Sequence, residues 1–191
     1  YKPAGVYNGM LHPLRRYAVK GAAFYQGESN TGHPAAYGRV FAALIKDWRR
    51  LWRLDDFPFL YVQLANFVDG EKSLTSCHWA ELREEQRQAL KIQSTAMAVT
   101  IDVGEYNDLH PQNKKAVGHR LALCARKLAY GEEELVHSGP LFERKESRGR
   151  ELRLYFTQTG GGLTAREGEL KGFSVRGDDR VFWPAKATIA G

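Results

Sequence analysis

Apolar positions along this chain follow two alternating rhythms. Val19 to Tyr25 is a short apolar run that ends in the polar stretch Gln26-Gly27-Glu28-Ser29-Asn30, and it predicts a buried strand. From Tyr37 to Trp52 the apolar residues Val40, Phe41, Leu44, Ile45, Trp48 and Trp52 recur at helical spacing. Phe57 to Phe67 predicts a second strand, apolar on both faces through Phe59, Leu60, Tyr61, Val62 and Leu64. Trp79 to Ile92 predicts a charged amphipathic helix, and Ala96 to Val103 a third buried strand. Lys114 to Tyr130 predicts a helix with Val117, Leu121, Cys124 and Leu128 on one stripe. Strands alternating with helices predict a parallel α/β sheet, and strands apolar on both faces agree, because helices cover both sides of such sheets. Sites in open α/β sheets lie beyond the carboxyl ends of the strands. The polar stretches 26–30 and 104–110 both follow strands, so they are expected to meet there.

The rhythm changes near Gly131. From Ser138 the chain reads as short β runs, including Leu152 to Phe156, Phe173 to Val175 and Val181 to Trp183, with a break at Gly160-Gly161-Gly162. The expected organisation is the α/β part over 1–135 and the start of a β-sandwich-like accessory domain over 138–191, with too few strands to close a sandwich. A net charge of +6 raises the question of a nucleic-acid partner. Acids are interleaved with the bases, as in Lys46-Asp47-Trp48-Arg49-Arg50 and Glu81-Leu82-Arg83-Glu84-Glu85, so the charge reads as solvated helix faces and no nucleic acid is expected. No apolar run approaches the roughly 18 residues of a membrane span. Cys77 and Cys124 stand far apart, and Cys124, inside an apolar helical run, reads as a buried free thiol.

Two stretches carry candidate chemistry. In Asp108-Leu109-His110-Pro111, His110 can take a proton from a hydroxyl nucleophile, and a nearby carboxylate can fix its tautomer. The plainer alternative is a surface loop that leads into a helix capped by Asn113. In Tyr25-Gln26-Gly27-Glu28-Ser29-Asn30, Gly27 permits close backbone approach, and Gln26 and Asn30 bring amide donors of the kind an oxyanion hole requires. The plainer alternative here is a polar turn between strand and helix. Ser29 does not complete a Gly-x-Ser-x-Gly elbow, since Thr31 stands in the last position and Gly32 comes one too late. The scattered residues His12, His33, His78, His119 and His137 match no metal-site spacing, so neither metal nor cofactor is expected. Trp48 and Trp52 read as core, and Trp79 as helix packing.

Taken in order, these stretches match a known family. The series runs through Tyr7-Asn8-Gly9-Met10, Gly21-Ala22-Ala23-Phe24-Tyr25-Gln26-Gly27-Glu28-Ser29-Asn30 and Asp47-Trp48-Arg49. It continues through Pro58-Phe59-Leu60-Tyr61-Val62-Gln63-Leu64-Ala65, Trp79-Ala80-Glu81-Leu82-Arg83-Glu84-Glu85-Gln86, Ile101-Asp102-Val103-Gly104-Glu105 and Asp108-Leu109-His110-Pro111. It resembles the sialate O-acetylesterases and related acetyl esterases of the SGNH hydrolase superfamily over about residues 5 to 131, and more weakly from Ser138. The resemblance implies a three-layer α/β SGNH-hydrolase-like sheet, present in part. It also implies hydrolysis of an acetyl ester on a sugar or glycan, such as sialic acid, by a serine mechanism. His110 would be the general base and Asp108 its orienting carboxylate. Gln26 and Gly27 would supply oxyanion donors, with Asn30 as a further one.

Two departures bear on these roles. The superfamily carries its nucleophile in a Gly-x-Ser block near the N-terminus, and none is present here, so the serine is expected from an upstream part of the same protein and the isolated chain is expected to be inactive. The superfamily also places its Asp three residues before the His, whereas Asp108 stands two before His110; a backbone carbonyl is the alternative orienting group. Alternatives for the whole are an esterase for acetylxylan or another acyl-carbohydrate, and a non-catalytic carbohydrate-binding chain. A secreted or periplasmic home is what the resemblance suggests.

Overall fold

The computed structural model describes residues 4–67, 78–165 and 168–190. A π-helical turn at Tyr7–Leu11 and a 3-10 turn at His12–Arg16 lead into strand β1, Ala22–Phe24. Helix α1, Pro34–Trp52, strand β2, Phe59–Val62, helix α2, His78–Gln88, strand β3, Thr95–Ala98, and helix α3, Lys114–Leu128, follow. The three strands form one parallel sheet in the order β1-β2-β3, with Ala23 opposite Leu60 and Leu60 opposite Ala96.

Alternation along the strands builds three layers. Phe59, Tyr61 and Met97 pack with Tyr37, Phe41 and Ile45 of α1 and Leu82 of α2 on one face of the sheet. Leu60 and Ala96 pack with Cys124 of α3, flanked by Leu121, Ala125 and Leu128, on the other. Because β2 is buried on both faces, it lacks the polar alternation of a half-exposed strand. Each fully buried large side chain contributes about 1.5–3 kcal/mol of apolar burial, and Phe59, Tyr61, Ile45 and Leu82 are all fully buried. The aromatic side of the core is dense: the Phe41 ring meets Phe24, Tyr37, Phe59 and Tyr61 at centroid distances of 5.0–5.9 Å. Trp52 lies parallel to Phe57, and Trp48 packs against the same cluster.

The elements occupy the predicted places, and the strands are shorter than predicted. β2 starts after Pro58, which has no N–H for the ladder, and Phe57 N–H is taken by Leu54 O in a turn. At the other end, Gln63 N–H still reaches Ala98 O, but Leu64 N–H is captured by the Gln86 side chain. β3 ends at Ala98, and the chain beyond it turns, with Val103 N–H donating back to Thr100 O. α2 tightens into a 3-10 turn at Ala89–Lys91 before Ile92. The side chain of Asn113 caps α3 by accepting from Ala116 N–H at 3.1 Å.

Beyond α3, β4 (Leu141–Arg148) pairs antiparallel with β5 (Glu151–Thr157), and β6 (Ser174–Arg176) with β7 (Phe182–Pro184). Among the described residues these are two separate two-stranded sheets. Cys124 is a fully buried free thiol, and burial pushes its pKa up to about 11. Cys77 lies outside the described residues.

Candidate active site

Parallel strands send their following loops to one end of the sheet, so the segments after β1 and β3 share that end. β2 stands between them, which separates the two loops by two strand spacings, about 10 Å. Lys114 at the start of α3 places its Nζ 5.0 Å from the ring centre of Tyr25, so the N-terminus of α3 lies beside the residue that precedes Gln26.

The β1 segment forms a tight polar turn. Glu28–Asn30 makes one 3-10 turn, closed by Asn30 N–H donating to Gly27 O at 2.8 Å. Gln26 Nε2 donates to Asn30 Oδ1 at 2.6 Å, which fixes the Asn30 amide with its NH2 group free of that contact. The main-chain carbonyl of Gln26 accepts from Tyr37 Oη at 3.2 Å and from Gln86 Nε2 at 3.4 Å. Gly27 is buried against that support: a Cβ there would come within 3.1–3.2 Å of Leu64 Cδ2, Leu82 Cδ2 and Gln86 Nε2. Among the described residues no acceptor takes the Gly27 N–H. Ser29 is exposed on the outside of the turn.

The β3 segment is closed by its own side chains. Asp108 Oδ1 accepts the backbone N–H of His110 at 2.8 Å, and Asp108 Oδ2 accepts from Gln112 Nε2 at 2.9 Å. Gln112 Nε2 also reaches His110 O at 3.0 Å, and Gln112 N–H reaches Glu105 Oε2 at 3.4 Å. The His110 N–H, then the Gln112 amide, hold the Asp108 carboxyl below the usual carboxylate range. His110 Nδ1 lies 4.0 Å from Asp108 Oδ1, beyond hydrogen-bonding distance, and the His110 side chain is 82% exposed. No hydrogen bond joins His110 to residues 26–30 among the described residues. Gly104 seats this loop on the end of β2, where its backbone approaches Asn66 and Ala65 so closely that a Cβ would fall within 2.5–2.8 Å of them.

The five residues picked out by sequence therefore fall on two loops at one end of the sheet. Gln26, Gly27 and Asn30 are joined in one turn, and Asp108 and His110 in the other. Sequence reasoning missed Tyr37, Gln86 and Gln112. Gln86 had a signal: it stands four residues after Leu82 on α2, and so shares the buried face of that helix. Trp79 donates its indole N–H to Ala65 O at 2.6 Å and packs on Phe67, so it is committed to packing beside the site. No group of three or more metal-ligating side chains clusters among the described residues, and no helix there is long and apolar enough to cross a membrane.

Residues 2–127 match the family described as carbohydrate esterase, sialic acid-specific acetylesterase. The human sialate O-acetylesterase is 36% identical over 163 residues, which cover 76% of this chain and 31% of that protein. The mouse sialate O-acetylesterase is 35% identical over 159 residues, 74% of this chain and 29% of that protein. The crystal structure of a carbohydrate acetylesterase from Xanthomonas citri superposes with a TM-score of 0.92 at 45% identity, covering 97% of this chain and 44% of that one. The chain thus spans about three tenths of the length of these curated relatives.

Proposed function

This chain belongs to the sialic acid-specific acetylesterase family of carbohydrate esterases, and we propose that it supplies the proton-transfer and oxyanion-binding half of a serine-type carbohydrate O-acetylesterase. The observation that carries this reading is the pairing at one sheet end of an exposed histidine with a turn whose buried Gly27 has an N–H without an acceptor among the described residues. In this reading a serine Oγ attacks the acetyl carbonyl and His110 takes its proton. The tetrahedral oxyanion rests on Gly27 N–H and the Asn30 amide, while Gln26 holds Asn30 in place. Collapse breaks the bond from the carbonyl carbon to the sugar oxygen, which takes the proton from His110 and leaves as a hydroxyl, and water then releases acetate from the acyl-serine by the same steps. Asp108 steadies the loop through the His110 N–H. At 4.0 Å from the imidazole its carboxylate sets a negative charge beside the ring without a hydrogen bond to it.

The serine comes, in this proposal, from a segment outside the 191 residues. The reading is supported by the placement of Ser29, which is exposed on its turn with no hydrogen bond to His110 among the described residues. The substrate we propose is an O-acetylated sugar, with sialic acid as the first to test and acetylxylan as the competitor. The β-rich part over 138–191 is proposed as an accessory unit. The test assays acetate release from an aryl acetate and an O-acetylated sialoside. The polypeptide that joins this chain to the serine-bearing segment should turn over, and the isolated chain should not. Activity in the isolated chain that disappears with Ser29→Ala would overturn the assignment of the nucleophile, and inactivity of the joined polypeptide would overturn the esterase reading itself.

A further inference from the structure

The mechanism above uses the N–H of Gly27 but leaves open what aims it. The peptide between Gln26 and Gly27 is trans, so its C=O and N–H point in opposite directions. Whatever anchors the carbonyl therefore aims the N–H. Two side chains anchor it: Tyr37 Oη of α1 at 3.2 Å and Gln86 Nε2 of α2 at 3.4 Å. Both helices lie on the same face of the sheet, so the carbonyl is drawn toward that layer and the N–H is turned away from it.

We infer that Gln86 and Tyr37 are positioning residues of the esterase site, which lock the Gln26–Gly27 peptide so that the Gly27 N–H faces the substrate as a preformed oxyanion donor. This rests on the proposed function.

Gln86 is built for such a task and poorly suited to simple packing. Gln86 is 1% exposed, on the buried face of α2 beside Leu82, where an apolar side chain would need no partners. Its amide is fully engaged: Oε1 accepts from Leu64 N–H at 2.9 Å, and Nε2 reaches Val62 O at 3.3 Å, Tyr37 Oη at 3.4 Å and Gln26 O. Its own main-chain carbonyl is held by Tyr61 Oη at 2.8 Å. One side chain thus ties the end of β2 and the end of β1 to the same point. Tyr37 completes the unit as an acceptor for Gln86 and a donor to Gln26. Burial raises the Tyr37 pKa, so its hydroxyl keeps the proton it donates. A peptide held by two buried donors does not reorganise as charge develops, and that is the condition under which an oxyanion donor is most effective.

The test uses the polypeptide that joins this chain to the serine-bearing segment, with kcat expressed per site titrated by a serine-directed fluorophosphonate. Tyr37→Phe, which removes one anchor, should lower kcat about 3- to 10-fold. Gln86→Met, which keeps length and removes every amide contact, should lower it about 10- to 100-fold. The double variant should approach the roughly 10²- to 10³-fold loss expected on deleting an oxyanion donor. KM should stay within about 2-fold throughout, because the donor acts on the transition state. A merely structural role would instead lower the melting temperature and the number of titratable sites and leave kcat per site unchanged; that result, or a rise in KM with kcat intact, would overturn the inference. If Gln86→Met fails to fold, Tyr37→Phe decides alone. A wild-type protein without acetyl-ester turnover would sink the proposed function and this inference with it, whereas an active wild type with unaffected variants would sink this inference only.

Discussion

The two loops that carry the candidate site are held by opposite means. The Gln26–Asn30 turn is braced from beneath by side chains from distant parts of the chain: Tyr37 on α1, Gln86 on α2 and Leu64 after β2. The Asp108–Gln112 loop is braced chiefly by its own side chains, and among the described residues the hydrogen bonds of Asp108 run to residues at most four positions away. One buries its Gly27 against the core, and the other presents a histidine that is 82% exposed. The difference matches the work each is asked to do. An oxyanion donor acts best when it cannot move, whereas a base that first takes a proton and then returns it needs room to turn between two partners.

The comparison makes unequal demands on substitutions, and each can be measured in the polypeptide that includes the serine-bearing segment. His110→Ala should lower acetyl-ester turnover by about 10³-fold or more, since no other imidazole stands in the loop. The melting temperature should hardly move, because so exposed a side chain contributes within about 0.5 kcal/mol of stability. Near-normal turnover of an aryl acetate by this variant would break the comparison at its active end.

Gly27→Ala should combine both kinds of damage. The added Cβ meets Leu64, Leu82 and Gln86 at 3.1–3.2 Å, so the turn or its support must shift. We expect turnover to fall about 10²-fold and thermal unfolding to show a loss of about 1–3 kcal/mol. An unchanged melting temperature would mean that the turn is not braced as described.

Asp108→Asn should cost less, about 10-fold in kcat, because the amide oxygen of the new side chain can still accept the His110 N–H while the charge that steadies an imidazolium is lost. The same residue gives a pH test. The folded-state pKa of Asp108 is depressed, so the stabilisation it brings is present above the unfolded value and is lost as pH falls through the folded one. The side-chain amide NMR signals of Gln112 should therefore show a transition below about pH 4, and Asp108→Asn should abolish that transition.

The smallest expected effect probes how local the exposure is. Beneath the open loop, α3 buries Cys124, whose thiol is pushed up to about 11. Iodoacetamide at about pH 8 should label this residue far more slowly in the folded chain than in the unfolded chain, as read by peptide mass spectrometry. Rapid labelling would show that the looseness of the β3 loop extends into the helix that follows it.

Much of this molecule follows from local sequence, and the boundary of what is local is physical. Period and polarity place β1, β2, β3 and the three helices, because burial on one or both faces imposes a repeat that any stretch of about ten residues displays. The Asp108-x-His110 loop is legible only as a polar loop bonded between neighbours, since its Gln112 contacts and the turn of Asp108 to the His110 N–H are not foreseen by the sequence. The ends of β2 and the state of the Gln26–Asn30 turn are not legible. Leu64 leaves the ladder because Gln86, 22 residues later, takes its N–H, and the Gln26 carbonyl is fixed by partners 11 and 60 residues away. Sequence alone determined that a glycine and two amides stand at the end of a short apolar strand, which the structure leaves only partly covered. Only the tertiary structure decided which of their donors is spent within the turn and which stands free, because that depends on where the packed helices bring Tyr37 and Gln86.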